Sequence, residues 1–239
     1  MKKKNKAIYL LFLMPFVYFA TACFVVWLVK TSGIYPSGSD TMYHVYRGDY
    51  VYNAIKSGNW YPLYDPAWYN GVEILRYWSP FPAYVMAFCQ YLAGGSQFGA
   101  YLFYIGGVCF LGACVWPFIG RGFNRPYLGA FIGLLWFFMP NNLCAIFIEG
   151  NLARSLSMIF LPVFIYSVYK YLYNHKLRYI PLMVFTFLLM ELCHLGYAGM
   201  VAIAVIIYGI VYMIQKGRKK AVLDVVISMI FGFMLLGIW

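Results

Sequence analysis

Charge is what this sequence has least of. Only 10% of its 239 residues are charged, with Asp and Glu together numbering 7 and His 3, against about 25% charged residues in an ordinary soluble domain. With 64% hydrophobic residues and a mean hydropathy of +0.71, too few polar side chains are present to face water all round, and lipid is the solvent. A net charge of +11 does not indicate nucleic acid, which would need Lys and Arg gathered on one water-facing surface. Here they sit in short clusters between apolar runs. Paired cysteines are also missing. Cys23, Cys89, Cys109, Cys114, Cys144 and Cys193 lie in or beside apolar segments, without the C-x-x-C spacing of a zinc site, and read as packing residues. No internal repeat of the transporter kind is visible.

What is there is a series of long apolar runs. A crossing needs roughly 20 apolar residues, and the runs at 7–29, 98–120, 127–148, 155–173, 179–195, 197–215 and 221–239 meet or approach that length. The first, at about 23 residues, exceeds the roughly 7 to 15 of a signal-peptide core and is an uncleaved anchor helix. The run at 80–94 is about 15 residues long, short of a crossing, and is assigned to a re-entrant or interfacial helix.

Basic residues then orient the chain. With the N-terminus inside, the cytoplasmic face holds Lys2, Lys3, Lys4, Lys6, Arg121, Arg125, Lys170, Lys176, Arg178, Lys216, Arg218, Lys219 and Lys220, thirteen of the 18 Lys and Arg. Lys30, Arg47, Lys56, Arg76 and Arg154 remain outside, as the positive-inside rule requires. If 80–94 crossed, the later clusters would change sides and the asymmetry would collapse. The expectation is therefore an all-α integral membrane domain over 1–239, with about seven transmembrane helices and a large first extracytoplasmic loop at 30–79 carrying juxtamembrane helices. The protein is placed in the cell membrane as a multi-pass chain among membrane lipids, with no nucleic-acid partner. The run ending at Trp239 has no polar tail, which suggests the N-terminal portion of a longer, incomplete domain.

The loop holds most of the chemistry. Between Ser39 and Ser57 apolar and aromatic residues recur at helical spacing, with Gly58 as the stop. Asp40 and His44 fall one turn apart on one face. An ionised Asp at the membrane surface can take a proton from a hydroxyl or hold a divalent cation beside a phosphate, and a His one turn on can share either task. The simpler alternative is that Asp40 only caps the helix after it. Asp49, Glu149, Glu191 and His194 fall at the same outer side or at outer helix ends, where charge near lipid implies a cavity or a partner. Glu191 and His194 share a face and either bond each other or line a pocket. Arg76 and Arg154 carry planar guanidinium forks suited to phosphate oxygens, or else snorkel to the interface. Asn141 and Asn142 after Pro140 mark a helix break.

Gly38-Ser39-Asp40-Thr41-Met42-Tyr43-His44 directly after the first span, with Tyr77-Trp78-Ser79-Pro80-Phe81-Pro82 closing the loop, resembles the GT-C superfamily of membrane glycosyltransferases. Glu149-Gly150-Asn151-Leu152-Ala153-Arg154 with Leu161-Pro162 is similar to bacterial multi-spanning membrane proteins labelled as related to 6-pyruvoyl-tetrahydropterin synthase, a label that implies no pterin chemistry here because no zinc-binding His set is present. The resemblance implies a GT-C-like transmembrane domain that transfers a sugar from a polyprenyl-phosphate donor to an acceptor in cell-envelope polysaccharide synthesis. It implies catalysis by Asp40 and His44, donor phosphate held by Arg76 and Arg154, and a substrate pocket of Asp49, Glu149, Glu191 and His194. It implies Asp40 as the ligand of any divalent cation (Mg or Mn), although the paired-acid form of the family motif is missing at Asp40. Two other classes fit the composition: a transporter or flippase for a lipid-linked or anionic solute, and a non-catalytic membrane subunit. A transporter would place polar residues near the middle of several spans, whereas here the charges gather at the outer ends. The orientation is testable with Ser39→Cys in a background freed of native thiols. A membrane-impermeant maleimide is expected to label it in intact cells, and labelling only after lysis would reverse the topology.

Overall fold

The computed structural model describes residues 2–36 and 38–238, and every ordered element longer than a turn is helical. Helix α1, Lys2–Ser32, takes in the first apolar run; the basic residues Lys2, Lys3, Lys4 and Lys6 stand at its start, their side chains outside the described residues. Helix α2, Thr41–Lys56, lies in the first loop, ending at Ser57 with Gly58 left-handed (φ 88°), as the Gly58 stop predicts. Helix α3, Phe81–Leu92, has 12 residues and so rises only about 18 Å, too short to cross, in keeping with the re-entrant reading of 80–94. Helix α4, Gln97–Gly122, starts on Ser96, whose Oγ accepts from Gly99 N, and α5, Pro126–Leu135, starts on a proline whose missing N–H costs nothing at that position.

The expected helix break is there and is longer than the two asparagines suggest. From α5 the chain tightens into a 3-10 turn, Trp136–Phe138, then forms a short turn α6, Pro140–Leu143, and widens into a π-helical turn, Cys144–Ile148. Helix α7, Leu152–Asn174, follows, then α8, Tyr179–Cys193, α9, Leu195–Lys216, and α10, Lys219–Leu235. Among the described residues, five segments are long and apolar enough to cross a membrane: Phe12–Ser32, Gln97–Gly122, Pro126–Ile148, Leu152–Asn174 and Leu195–Lys216. The run expected over 179–195 is cut at His194, which caps α9 by accepting from Tyr197 N (3.0 Å), so α8 has only 15 residues.

Two compact units divide the chain, Met1–Ser155 and Leu156–Trp239. In the first, α4 is the hub, packed against α1, α5 and α3, with α2 laid on α3. Glycines let these helices approach. A Cβ on Gly129 would sit 2.5 Å from Trp116 O and 2.8 Å from Gly120 Cα, and one on Gly133 would meet Tyr18 Oη at 2.4 Å. The seam is locked by Tyr18 donating to Ala130 O at 2.8 Å. In lipid, where tails are as apolar as the helices, such close approach supplies the association energy that hydrophobic burial supplies in water. In the second unit, Phe164, Leu172, Met183, Phe187, Met190, Val205 and Val225 form the core between α7, α8, α9 and α10.

Gly129→Leu is expected to lower the thermal midpoint in detergent sharply, since overpacking of this kind costs about 1–3 kcal/mol or more. Gly107→Leu, on the same hub helix but with open space at its Cβ, is the control that should leave the midpoint unchanged.

Candidate functional site

The end of α1 and the start of α7 are brought together by two glycines. Gly150 is left-handed (φ 67°), and a Cβ there would lie 2.1 Å from Thr41 Oγ1 and 2.7 Å from Thr41 N. A Cβ on Gly38 would lie 2.6 Å from Gly150 Cα. With both side chains absent, Ser39 Oγ and the backbone N–H of Asp40 each donate to the carbonyl of Glu149, at 3.1 Å. The segment that opens the loop is thus pinned to the segment that closes the helix break.

Asp40 occupies the position just before α2, yet its side chain makes no capping bond. The position suits a cap, but the carboxylate is not spent on it and stays half-buried at the junction. His44 is buried one turn on, its N–H donating to Asp40 O at 3.1 Å, and it packs beside Tyr43. Across the junction Glu149 Oε2 pairs with Arg154 Nη1 at 2.6 Å, while Arg154 Nη2 donates to Asn141 Oδ1 at 3.0 Å. Asn151 Oδ1 accepts from Arg154 N at 2.9 Å, which caps the first turn of α7 beneath the guanidinium. Asp40, His44, Glu149, Arg154 and Asn141 therefore belong to one neighbourhood.

An apolar groove of about 590 Å³ leads to it. One wall is α1 and the residues after it, from Thr21 to Tyr35 and Pro36, and the other runs from Phe137 and Phe138 to Leu143 and Phe147. Both walls continue straight into the junction, Pro36 two residues before Gly38 and Phe147 two before Glu149. No charged residue lines it.

The other expected site residues sit elsewhere. Asp49, nine residues after Asp40, is about half a helical revolution round from it and accepts from Gln90 Nε2 at 2.6 Å, tying α2 to α3. Arg76 lies on the loop surface, both Glu73 carboxylate oxygens within 3.0 Å of its Nη1. Glu191 is buried near the end of α8, and His194 is the residue whose Nδ1 caps α9. Among the described residues no three His, Cys, Asp or Glu side chains converge on a metal-sized site. The junction offers Asp40 and a Glu149 already engaged by Arg154, so the donor set does not fit a protein-held divalent cation.

Two buried groups that hold the loop escaped sequence reasoning. Arg47 is 2% exposed and donates through Nη2 to the carbonyls of Ile74, Trp78 and Ser79 at 3.2, 3.1 and 3.4 Å, its guanidinium 5.4 Å from the Tyr43 ring. Burial pulls its pKa below the usual arginine range. Its place three residues after His44, on the side of α2 that carries Val51, was the available signal. Asp65, also 2% exposed, accepts from Tyr46 Oη at 2.5 Å and Ala67 N at 2.9 Å, and its backbone pairs with Val72. Above these, Tyr43 and Trp68 pack at 5.2 Å, with Trp78 5.9 Å from Tyr43.

A family model described as 6-pyruvoyl-tetrahydropterin synthase related domain, membrane protein, matches residues 75–239. That span includes Glu149 to Arg154 but not Asp40. No curated protein matches the chain, and no solved structure does.

The Tyr46–Asp65 bond sets a pH limit on the loop. Burial, and after it the bond to Asp65, raise Tyr46 from 10.0 to about 12. A raised pKa means that its contribution is complete below about pH 10 and is lost as pH climbs toward about 12. Tryptophan fluorescence of the loop should hold to the lower value and then change. Tyr46→Phe should destabilise the loop by about 1–3 kcal/mol, because it strands a buried carboxylate, and should remove that alkaline step.

Proposed function

The chain belongs to the 6-pyruvoyl-tetrahydropterin synthase related family of membrane proteins, and from that setting we propose that it is a membrane glycosyltransferase moving a sugar from a polyprenyl-phosphate donor to an acceptor at the extracytoplasmic face. The observation that carries this reading is the apolar groove whose two walls end at Asp40 and at the Glu149–Arg154 pair. A lipid-borne donor needs that combination: a place for an isoprenoid tail beside a cation for its phosphate and a carboxylate for the incoming hydroxyl. The GT-C resemblance of the loop motifs points the same way.

In this reading the isoprenoid chain lies along Phe24, Leu28, Phe138 and Phe147, which leaves the phosphate at Arg154. Asp40 takes the proton from the acceptor hydroxyl. The freed oxygen bonds to the anomeric carbon, and the bond from that carbon to the phosphate oxygen breaks with its electron pair leaving on the phosphate, so the sugar is inverted. Arg154 meets the negative charge that develops there, while Glu149 and Asn141 fix the plane of the guanidinium. His44 supports the Asp40 turn as a positioning residue. Arg76 reaches the phosphate only by leaving Glu73. The topology that goes with this has a cytoplasmic N-terminus and crossings by α8 and α10 as well, seven in all, with the 30–79 loop outside.

A transporter or flippase shares one feature with this chain, the broken stretch Pro126–Ile148, because discontinuous helices line solute sites in many transporters. Transfer of label from a radiolabelled polyprenyl-phosphate sugar to an acceptor separates the two. Asp40→Asn keeps a good residue for the position before α2 and is expected to lower transfer by about 100-fold or more. Transfer unchanged in that variant overturns the base assignment. Movement of the labelled donor across proteoliposomes without any transfer favours the flippase.

A further inference from the structure

The second unit carries a basic cleft with no part in the chemistry above. The connection from α7 to α8 and the connection from α9 to α10 meet at one end of this unit, enclosing about 760 Å³ lined by His175, Arg218, Lys219, Lys220, Tyr171 and Asp224, among others. Lys176, Arg178 and Lys216 stand in or beside the same two connections. Asp224, the single acid in the lining, accepts from Tyr171 Oη at 2.5 Å, so its charge is already engaged. Arg218 contacts His175. Among the described residues none of these Lys or Arg is paired with a carboxylate.

Backbone dipoles add to the side-chain charge. Both α8 and α10 begin at this end, after Arg178 and Arg218, and neither is capped by a side chain. Helices of 15 and 17 residues each present a first turn of N–H groups without intrahelical partners, where anions are favoured. The positive-inside rule accounts for cations at this level but not for their arrangement round a cavity. The connection from α4 to α5, with Arg121 and Arg125, is closed instead by its own backbone, Arg125 N donating to Gly120 O at 2.7 Å.

We propose that this cleft binds the phosphate headgroup of an anionic membrane lipid, with Arg218, Lys219 and Lys220 on the phosphate and the exposed Leu177 and half-buried Ile180 against the start of the acyl chains. A lipid source is favoured over a free anion because the cleft lies where apolar helices begin, and basic pockets between membrane helices take lipid headgroups. The site is independent of Asp40 and of the groove in the first unit.

The full chain in a neutral detergent is titrated with short-chain phosphatidylglycerol, with phosphatidylcholine of the same chain length and with inorganic phosphate, and binding is read by native mass spectrometry and thermal shift. Phosphatidylglycerol should bind and stabilise, more weakly as salt rises, and phosphatidylcholine should not. Arg218→Gln, Lys219→Gln and Lys220→Gln combined should weaken phosphatidylglycerol binding at least about tenfold, while Arg121→Gln with Arg125→Gln should leave it intact. These residues are exposed, and an unchanged lipid-free midpoint shows that the fold is kept. If the triple variant fails to fold, Lys219→Gln and Lys220→Gln alone should each weaken binding a few fold. Undiminished binding in the variants, equal binding of phosphatidylcholine, or saturation by inorganic phosphate at the affinity of the lipid would each overturn the proposal. Sugar transfer should be untouched by the triple variant, so failure here is separable from failure of the transferase reading.

Discussion

The carbonyl of Glu149 accepts two hydrogen bonds from a segment more than a hundred residues earlier, from Ser39 Oγ and from the N–H of Asp40. Backbone groups near a bilayer must find partners within the protein, since lipid offers none. The chain meets that demand twice at once, for a loop leaving one helix and for the interruption before another. The contact requires backbone to touch backbone, and it is the absence of side chains at Gly38 and Gly150 that permits this. The half-buried carboxylate, the Glu149–Arg154 pair and the end of the apolar groove all take their places from it.

Farther along, the loop is held by charge buried on purpose rather than by apolar area. Arg47 satisfies three carbonyls of the returning chain without a carboxylate partner in those bonds, and Asp65 gathers a phenol and a backbone N–H. A cation or an anion left in such places without donors or acceptors would be very costly, so these bonds specify one path for the loop. The exposed aromatic rings of Trp78 and Tyr69 are then free to sit at the headgroup layer.

Much of the architecture was legible because hydropathy reports on lipid directly. Each long apolar run became helix, and the loop helix appeared where its periodicity and Gly58 placed it. The short run at 80–94 stayed below crossing length. Boundaries failed where a polar cap intervened within apolar sequence, as at His194, which ends one helix and starts the next. The site was legible in its members but not in its grouping. Asp40, Glu149 and Arg154 stood out as charges beside lipid, yet nothing in local sequence shows that residues 38–41 touch 149–150. Asp49 and Arg76 had the right chemistry on the wrong side: one faces Gln90, the other Glu73. Arg47 was overlooked because an arginine in a loop helix is ordinarily solvated.

The π-helical turn at Cys144–Ile148 holds one residue more than an α-helical path of the same rise would need. Its length therefore works as a phase-setting spacer: removing a single residue would rewind the turn and swing everything after it by about 100° about the helix axis. Glu149 would then offer its carbonyl to lipid instead of to Ser39. Insertions and deletions, harmless in most surface loops, should be selected against across these five residues, even where the identities of the side chains drift freely.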